Sequence, residues 1–109
     1  MSYDEAVAAA IRLDLAGETR VTERRMFGGL AFMVRGNMVA GVHSEGGFFR
    51  VGKAAAAEAL EVPGTRPMTM GGRTMGGIVD ATSESVLDFD RRGALLRLAL
   101  GHEATLPPK

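Results

Sequence analysis

The residues able to do chemistry in this chain are few. It has two histidines, His43 and His102, and no cysteine, so disulfides, thiolate zinc sites and cysteine nucleophiles are all excluded. His43 precedes Ser44, but neighbours on a strand point to opposite faces. The stretch Val42-His43-Ser44-Glu45-Gly46 also lacks the first glycine of a nucleophile elbow. With a single other histidine to serve as base, no coherent nucleophile, base and orienter emerge, and no enzyme activity is expected. A metal would need His43, His102 and carboxylates, which show no H-x-x-x-H or H-x-x-E-H spacing. Neither metal nor cofactor is expected.

Anion binding is the chemistry with more material. Gly71-Gly72-Arg73-Thr74-Met75-Gly76-Gly77 invites a phosphate-loop reading, because backbone N–H groups in glycine-rich turns cradle oxyanions. A Walker loop requires Gly-Lys-Ser/Thr opening a helix, and the dinucleotide spacing G-x-G-x-x-G is absent. A tight turn explains the glycines, with anion binding by Arg73 and the neighbouring amides as the competing reading. Arg24, Arg25, Arg50, Lys53, Arg66 and Arg73 fall near strand ends or turns. If they share one edge, their donors suit a phosphate or carboxylate ligand; otherwise they are solvated rim charge paired with Glu23, Glu45 and Glu58. The candidate anion site is therefore Arg24, Arg25, Arg50, Arg66, Gly71, Gly72 and Arg73. The methionines read as flexible core filler.

Charge distribution limits the partners. The 13 basic and 13 acidic residues cancel, but residues 1–19 carry net −3, residues 20–73 net +4 and residues 74–109 net −1. A middle segment this mildly basic gives weak support to nucleic-acid binding, which rests on clustered Lys and Arg. At 109 residues and 46% apolar composition one compact domain spanning 1–109 is expected. The N-terminus lacks the basic and apolar regions of a secretory signal, and no apolar run approaches a membrane span. A cytoplasmic protein is expected.

The elements that position these residues follow from periodicity. Ser2 and Glu5 have capping-box spacing, and Val7, Ala8, Ile11 and Leu15 form one stripe of a helix over about 3–16, with Leu13 off it. The polar stretch Glu18–Glu23 is left between elements. Leu30–Val34 and Met38–Val42 read as a hairpin joined by Arg35, Gly36 and Asn37, with Gly and Asn supplying the positive φ. Ser44 to Gly47 form a second turn into a strand over Phe48–Val51. Lys53–Leu60 reads as a short helix, and Pro67–Met70 and Met75–Ala81 as two more strands. Asp90 caps a final helix over 91–103, in which Ala94, Leu95, Leu98 and Ala99 share a side that Leu96 and Leu100 widen. So broad an apolar sector calls for burial between layers or a subunit interface, and Leu95, Leu96, Leu98 and Leu100 are the candidate dimer contacts. Pro107-Pro108-Lys109 is expected to fray. The result is a two-layer α+β domain with a mainly antiparallel sheet, in the order helix, three strands, helix, two strands, helix.

Four separated signatures occur in order along this chain. Arg24-Arg25-Met26-Phe27-Gly28-Gly29 is followed by Arg50-Val51-Gly52, then Pro63-Gly64-Thr65-Arg66-Pro67-Met68 and Met70-Gly71-Gly72-Arg73. Together they resemble the TfoX N-terminal domain family. The resemblance implies the same α+β order and a bacterial cytoplasmic protein. The longer TfoX-like regulators associated with natural competence carry a second, C-terminal domain, whereas a stand-alone domain is expected here. The family offers no accepted catalytic residues to carry over. Phe27 with Gly28 and Gly29 is explained by structure: an aromatic anchor followed by a sharp bend into the next strand. Three functions follow as expectations: a non-enzymatic regulatory or protein-interaction domain, forming a homodimer or meeting another protein; a small anion or nucleotide sensor built on Arg66 and Arg73; and a DNA-binding accessory protein.

Overall fold

The computed structural model describes residues 3–26 and 28–109. Helix α1 spans Glu5–Asp14, and its cap is Asp4, whose carboxylate accepts from the Ala6 N–H at 2.8 Å. The expected Ser2 and Glu5 capping box involves a residue outside those described; among the described residues Asp4 does the capping. Six strands follow: β1 Val21–Met26, β2 Gly29–Val34, β3 Asn37–His43, β4 Gly46–Arg50, β5 Thr65–Met70 and β6 Arg73–Thr82. A 3₁₀ turn at Lys53–Ala55 leads into α2, Ala56–Ala59, between β4 and β5; α3, Ser83–Leu87, and α4, Phe89–Glu103, follow β6.

The α+β class and antiparallel sheet are as expected, with one strand and one short helix more than anticipated. The strands form a single sheet in the order β1-β2-β3-β4-β6-β5, each neighbouring pair antiparallel. Strand β1 falls in the stretch read as polar connection, because it is an edge strand with both faces largely exposed and shows no apolar alternation. The β2–β3 turn also differs: Arg35 and Gly36 take the positive φ, at 52° and 83°, while Asn37 is the buried first residue of β3. The glycines Gly46 and Gly47 belong to β4, leaving Ser44 and Glu45 as the turn.

Two residue rows define the two faces of the sheet. Glu23, Phe32, Ala40, Phe49, Val79 and Pro67 lie side by side across the six strands on one face. Arg24, Ala31, Gly41, Phe48, Asp80 and Arg66 do so on the other. All the helices cover the first face. One core joins Val7, Ile11 and Leu15 of the α1 region, Ala59 of α2, Val86 of α3 and Leu95, Leu96 and Ala99 of α4 to Phe32, Phe49 and Val79. A register shift at Phe32/Met33 leaves an extra residue on β3, and Val39 joins Ala40 in the core. No helix among the described residues is long and apolar enough to cross a membrane.

The last helix is held by charge at both ends. Its cap is Asp88, accepting from the Arg91 N–H at 2.9 Å, instead of the expected Asp90. The Arg92 Nε donates to Asp14 of α1 at 2.6 Å and its Nη1 donates to the Val86 carbonyl at 2.9 Å. At the other end the buried Glu103 accepts from Arg35 Nη2 at 2.9 Å and from Asn37 Nδ2 at 3.2 Å. Asn37 also donates to the Pro107 carbonyl, and the Lys109 N–H donates to the Arg35 carbonyl. The tail expected to fray is therefore tied to the β2–β3 turn.

Burial pushes the Glu103 carboxyl upward, but the hydrogen bonds from Arg35 and Asn37 and the Arg35 charge outweigh it, and the net shift is downward. A carboxyl depressed in the folded state contributes stability that is full above its ordinary range and is lost as pH falls through its folded pKa. Glu103→Gln should therefore flatten the acid limb of stability, measured by urea unfolding across acid pH. Arg35→Ala should cost about 2 kcal/mol at neutral pH, less than a fully buried pair because Arg35 is one-third exposed. An unchanged acid limb in Glu103→Gln would contradict this account.

Candidate functional site

The helix-free face of the sheet holds a cavity of about 240 Å³ where β3, β4, β5 and β6 meet. Its base is Phe48, which lies over Gly41 of the neighbouring strand so closely that a Cβ there would overlap the ring. His43 stacks parallel to Phe48, with centroids 6.3 Å apart. The Nδ1 of His43 accepts from the Glu45 N–H at 3.1 Å. That nitrogen is therefore unprotonated, and Nε2–H donates to Asp80 Oδ1 at 2.6 Å. Arg66 Nε donates to the other Asp80 oxygen at 3.3 Å.

This arrangement decides what the cavity can do. Ser44 lies at its wall beside His43, but both ring nitrogens are engaged, so the imidazole has no free lone pair to activate the hydroxyl. Among the lining residues Arg66 is the one Arg or Lys, facing Asp80 and Glu45, so the local charge does not favour an anion. The His43, Asp80 and Arg66 chain ties three strands together. Sequence reasoning passed over Asp80; its signal was a lone acid inside the apolar run Ile78-Val79-Asp80-Ala81.

The candidate basic residues do not share one edge. Arg24 and Arg25 lie on β1 and Arg66 on β5, at opposite sides of the sheet. Five strand spacings separate those edges, roughly 24 Å. Gly71 and Gly72 form the β5–β6 turn with φ of 61° and 79°, the backbone of a type I′ hairpin. Both are exposed, as is Arg73 after them. Arg50 ends β4 beside a separate cavity near Lys53 and His102. Met33 and Met68 are buried on the helix-free face. The aromatic anchor expected of Phe27 lies outside the described residues, while of the glycines expected to make the bend Gly28 takes a φ of 74° and Gly29 opens β2.

The candidate dimer leucines are divided. Leu95 and Leu96 are in the core, at 0% and 4% exposure, and Leu98 and Leu100 pack partly buried against it. The large apolar side chains left in solvent on this layer include Leu13, Leu87 and Phe89. They belong to α1, α3 and α4. Asp14 joins Arg92 across these elements, and the Arg92 guanidinium lies 5.9 Å from the Phe89 ring centroid.

A six-stranded antiparallel sheet, covered by helices on one face and carrying a small polar cavity on the other, places the chain among two-layer α+β domains. The model of the TfoX N-terminal domain matches residues 14–102. The chain belongs to that family. No curated protein and no solved structure matches it.

The packing of Phe48 over Gly41 is directly testable. Gly41→Ala should cost about 1–3 kcal/mol, because the added methyl group overpacks the ring, and should shift the His43 ring resonances. Gly17→Ala, where a Cβ meets open space, should change stability by less than about 0.5 kcal/mol. Equal urea midpoints for the two variants would contradict the geometry.

Proposed function

We propose that this TfoX N-terminal domain works by binding, as a non-enzymatic regulatory interaction domain, and that it forms a homodimer through the exposed apolar ends of its helices. The observation that carries the reading is the exposure of Phe89 and Leu13, each at 74%, with Leu87 at 47%. Water solvates such side chains at a cost that association relieves. A two-fold contact sets one patch against its own copy, so the rim must carry both signs of charge. Asp88, Asp90 and Arg91 provide them at the start of α4. The engagement of both His43 nitrogens supports binding over catalysis.

Sedimentation velocity at micromolar concentration tests the reading. The native chain should sediment as a dimer, and Phe89→Glu should weaken association by at least about thirtyfold, as loss of an aromatic hot spot does. Circular dichroism should show the variant folded. A native chain that remains strictly monomeric would overturn the homodimer and leave a different protein as the partner.

A further inference from the structure

The second cavity of interest lies at the other end of α4. It is about 220 Å³ and is lined by Arg50, Gly52, Lys53, Gly76, Gly77 and His102. Among the described residues no carboxylate lines it. Elsewhere the arginines that reach across the fold meet acids: Arg12 meets Glu23, Arg35 meets Glu103, Arg66 meets Asp80 and Arg92 meets Asp14. Among the described residues Arg50, Lys53 and His102 make no ion pair. The carboxylate next to His102 in the chain, Glu103, is already committed to Arg35 and Asn37.

The backbone leaves room for these side chains at the cavity. Gly52 and Gly77 have φ of 86° and 83°. A Cβ on Gly52 would press into the His102 ring, and one on Gly76 would come within 3.0 Å of the Lys53 Cε. The two side chains thus fold against bare backbone. The Gly77 carbonyl, which would repel an anion, accepts from the Val51 and Gly52 N–H groups at 2.9 Å each. The His102 carbonyl likewise accepts from Thr105.

We propose that Arg50, Lys53 and His102 form a binding site for a phosphoryl dianion, either inorganic phosphate or the phosphate of a small monoester. Two permanent cations and an imidazole, with no acid among them, leave a single carboxylate ligand overmatched, whereas a dianion balances the permanent pair. The guanidinium of Arg50 supplies paired donors and the ammonium of Lys53 a mobile point charge. The cavity holds the phosphoryl group and a small substituent. The site is separate from the glycine turn at Gly71 and Gly72, and it lies about 20 Å along α4 from Phe89, so its failure and that of the dimer are measured independently.

The test is a titration of the full chain with inorganic phosphate and with glycerol 3-phosphate, followed by amide NMR at matched ionic strength. Saturable shifts should centre on Gly52, Lys53, Gly76, Gly77 and His102. Arg50→Gln and Lys53→Gln should each weaken binding about tenfold, the effect of losing one charge-assisted hydrogen bond, and Arg73→Gln should leave it unchanged. Tighter binding of glycerol 3-phosphate identifies a monoester, and tighter binding of inorganic phosphate identifies the free ion. The same spectra report folding, and Lys53→Gln, at an exposed position, carries the test if Arg50→Gln does not fold. Shifts that fail to saturate, that sodium chloride reproduces, or that survive in the Arg50→Gln/Lys53→Gln double variant would overturn the site. So would binding of a DNA duplex without binding of phosphate.

Discussion

Arg92 and Glu103 stand eleven residues apart on α4, which at 3.6 residues per turn brings them within about 20° of each other around the axis and roughly 16 Å apart along it. Between them on the buried side lie Leu95, Leu96 and Ala99. The stripe that α4 turns to the sheet is thus apolar in the middle and charged at each end. Both charges are engaged, Arg92 by Asp14 and the Val86 carbonyl, Glu103 by Arg35 and Asn37. Sliding the helix by one turn would set Ala99 where Leu95 packs in the core, a large-to-small exchange costing about 2–5 kcal/mol. It would also strand two buried charges, at several kcal/mol each. Packing and charge together therefore set the register of α4, and that register decides where Phe89 and His102 emerge.

The same stripe explains what could be read in the residues beforehand. Periodicity located α1 and α4, because each buries an apolar stripe at helical spacing, while short apolar runs separated by glycine turns located the β2–β3 hairpin and the β5–β6 pair. It misjudged the rotation of α4. Arg92 and Glu103 look like solvent-facing residues when apolar side chains alone define the face, and that face then sets Leu98 beside Leu95 and Ala99, whereas Leu98 is only partly buried. Strand β1 escaped for a related reason. Its place in the sheet comes from backbone pairing with β2 and from Glu23, which reaches back to Arg12 of α1, and neither leaves an apolar pattern. Helix α3 is only five residues long, with a Thr82 hydroxyl at its cap, a signal too local for a periodic search.

The candidate sites were legible to different depths. Gly71 and Gly72 could be read as a turn because positive φ is a property of the residue type. Arg50 and Lys53 could be named as basic residues near strand ends, but their approach to His102 depends on how the end of α4 packs against β4 and β6. The pairing of His43 with Asp80 depends on the strand order, which places β6 beside β4. Spacing along the chain carries none of that, since 37 residues separate the two side chains.

A net charge of zero therefore says little about the field at any point on this molecule. Acids on α1, β1, β6 and α4 are spent on particular arginines, Asp14 on Arg92, Glu23 on Arg12, Asp80 on Arg66 and Glu103 on Arg35. Each pairing removes a cation and an anion together from the long-range balance and leaves the remaining groups to set the local potential. At the end of β4 those groups are Arg50, Lys53 and His102, with no acid lining the space among them. On the helix-free face Asp80 and Glu45 border the cavity that holds Arg66. The two cavities differ little in volume, so what separates a surface that attracts anions from one that does not is how the fold has already used its carboxylates.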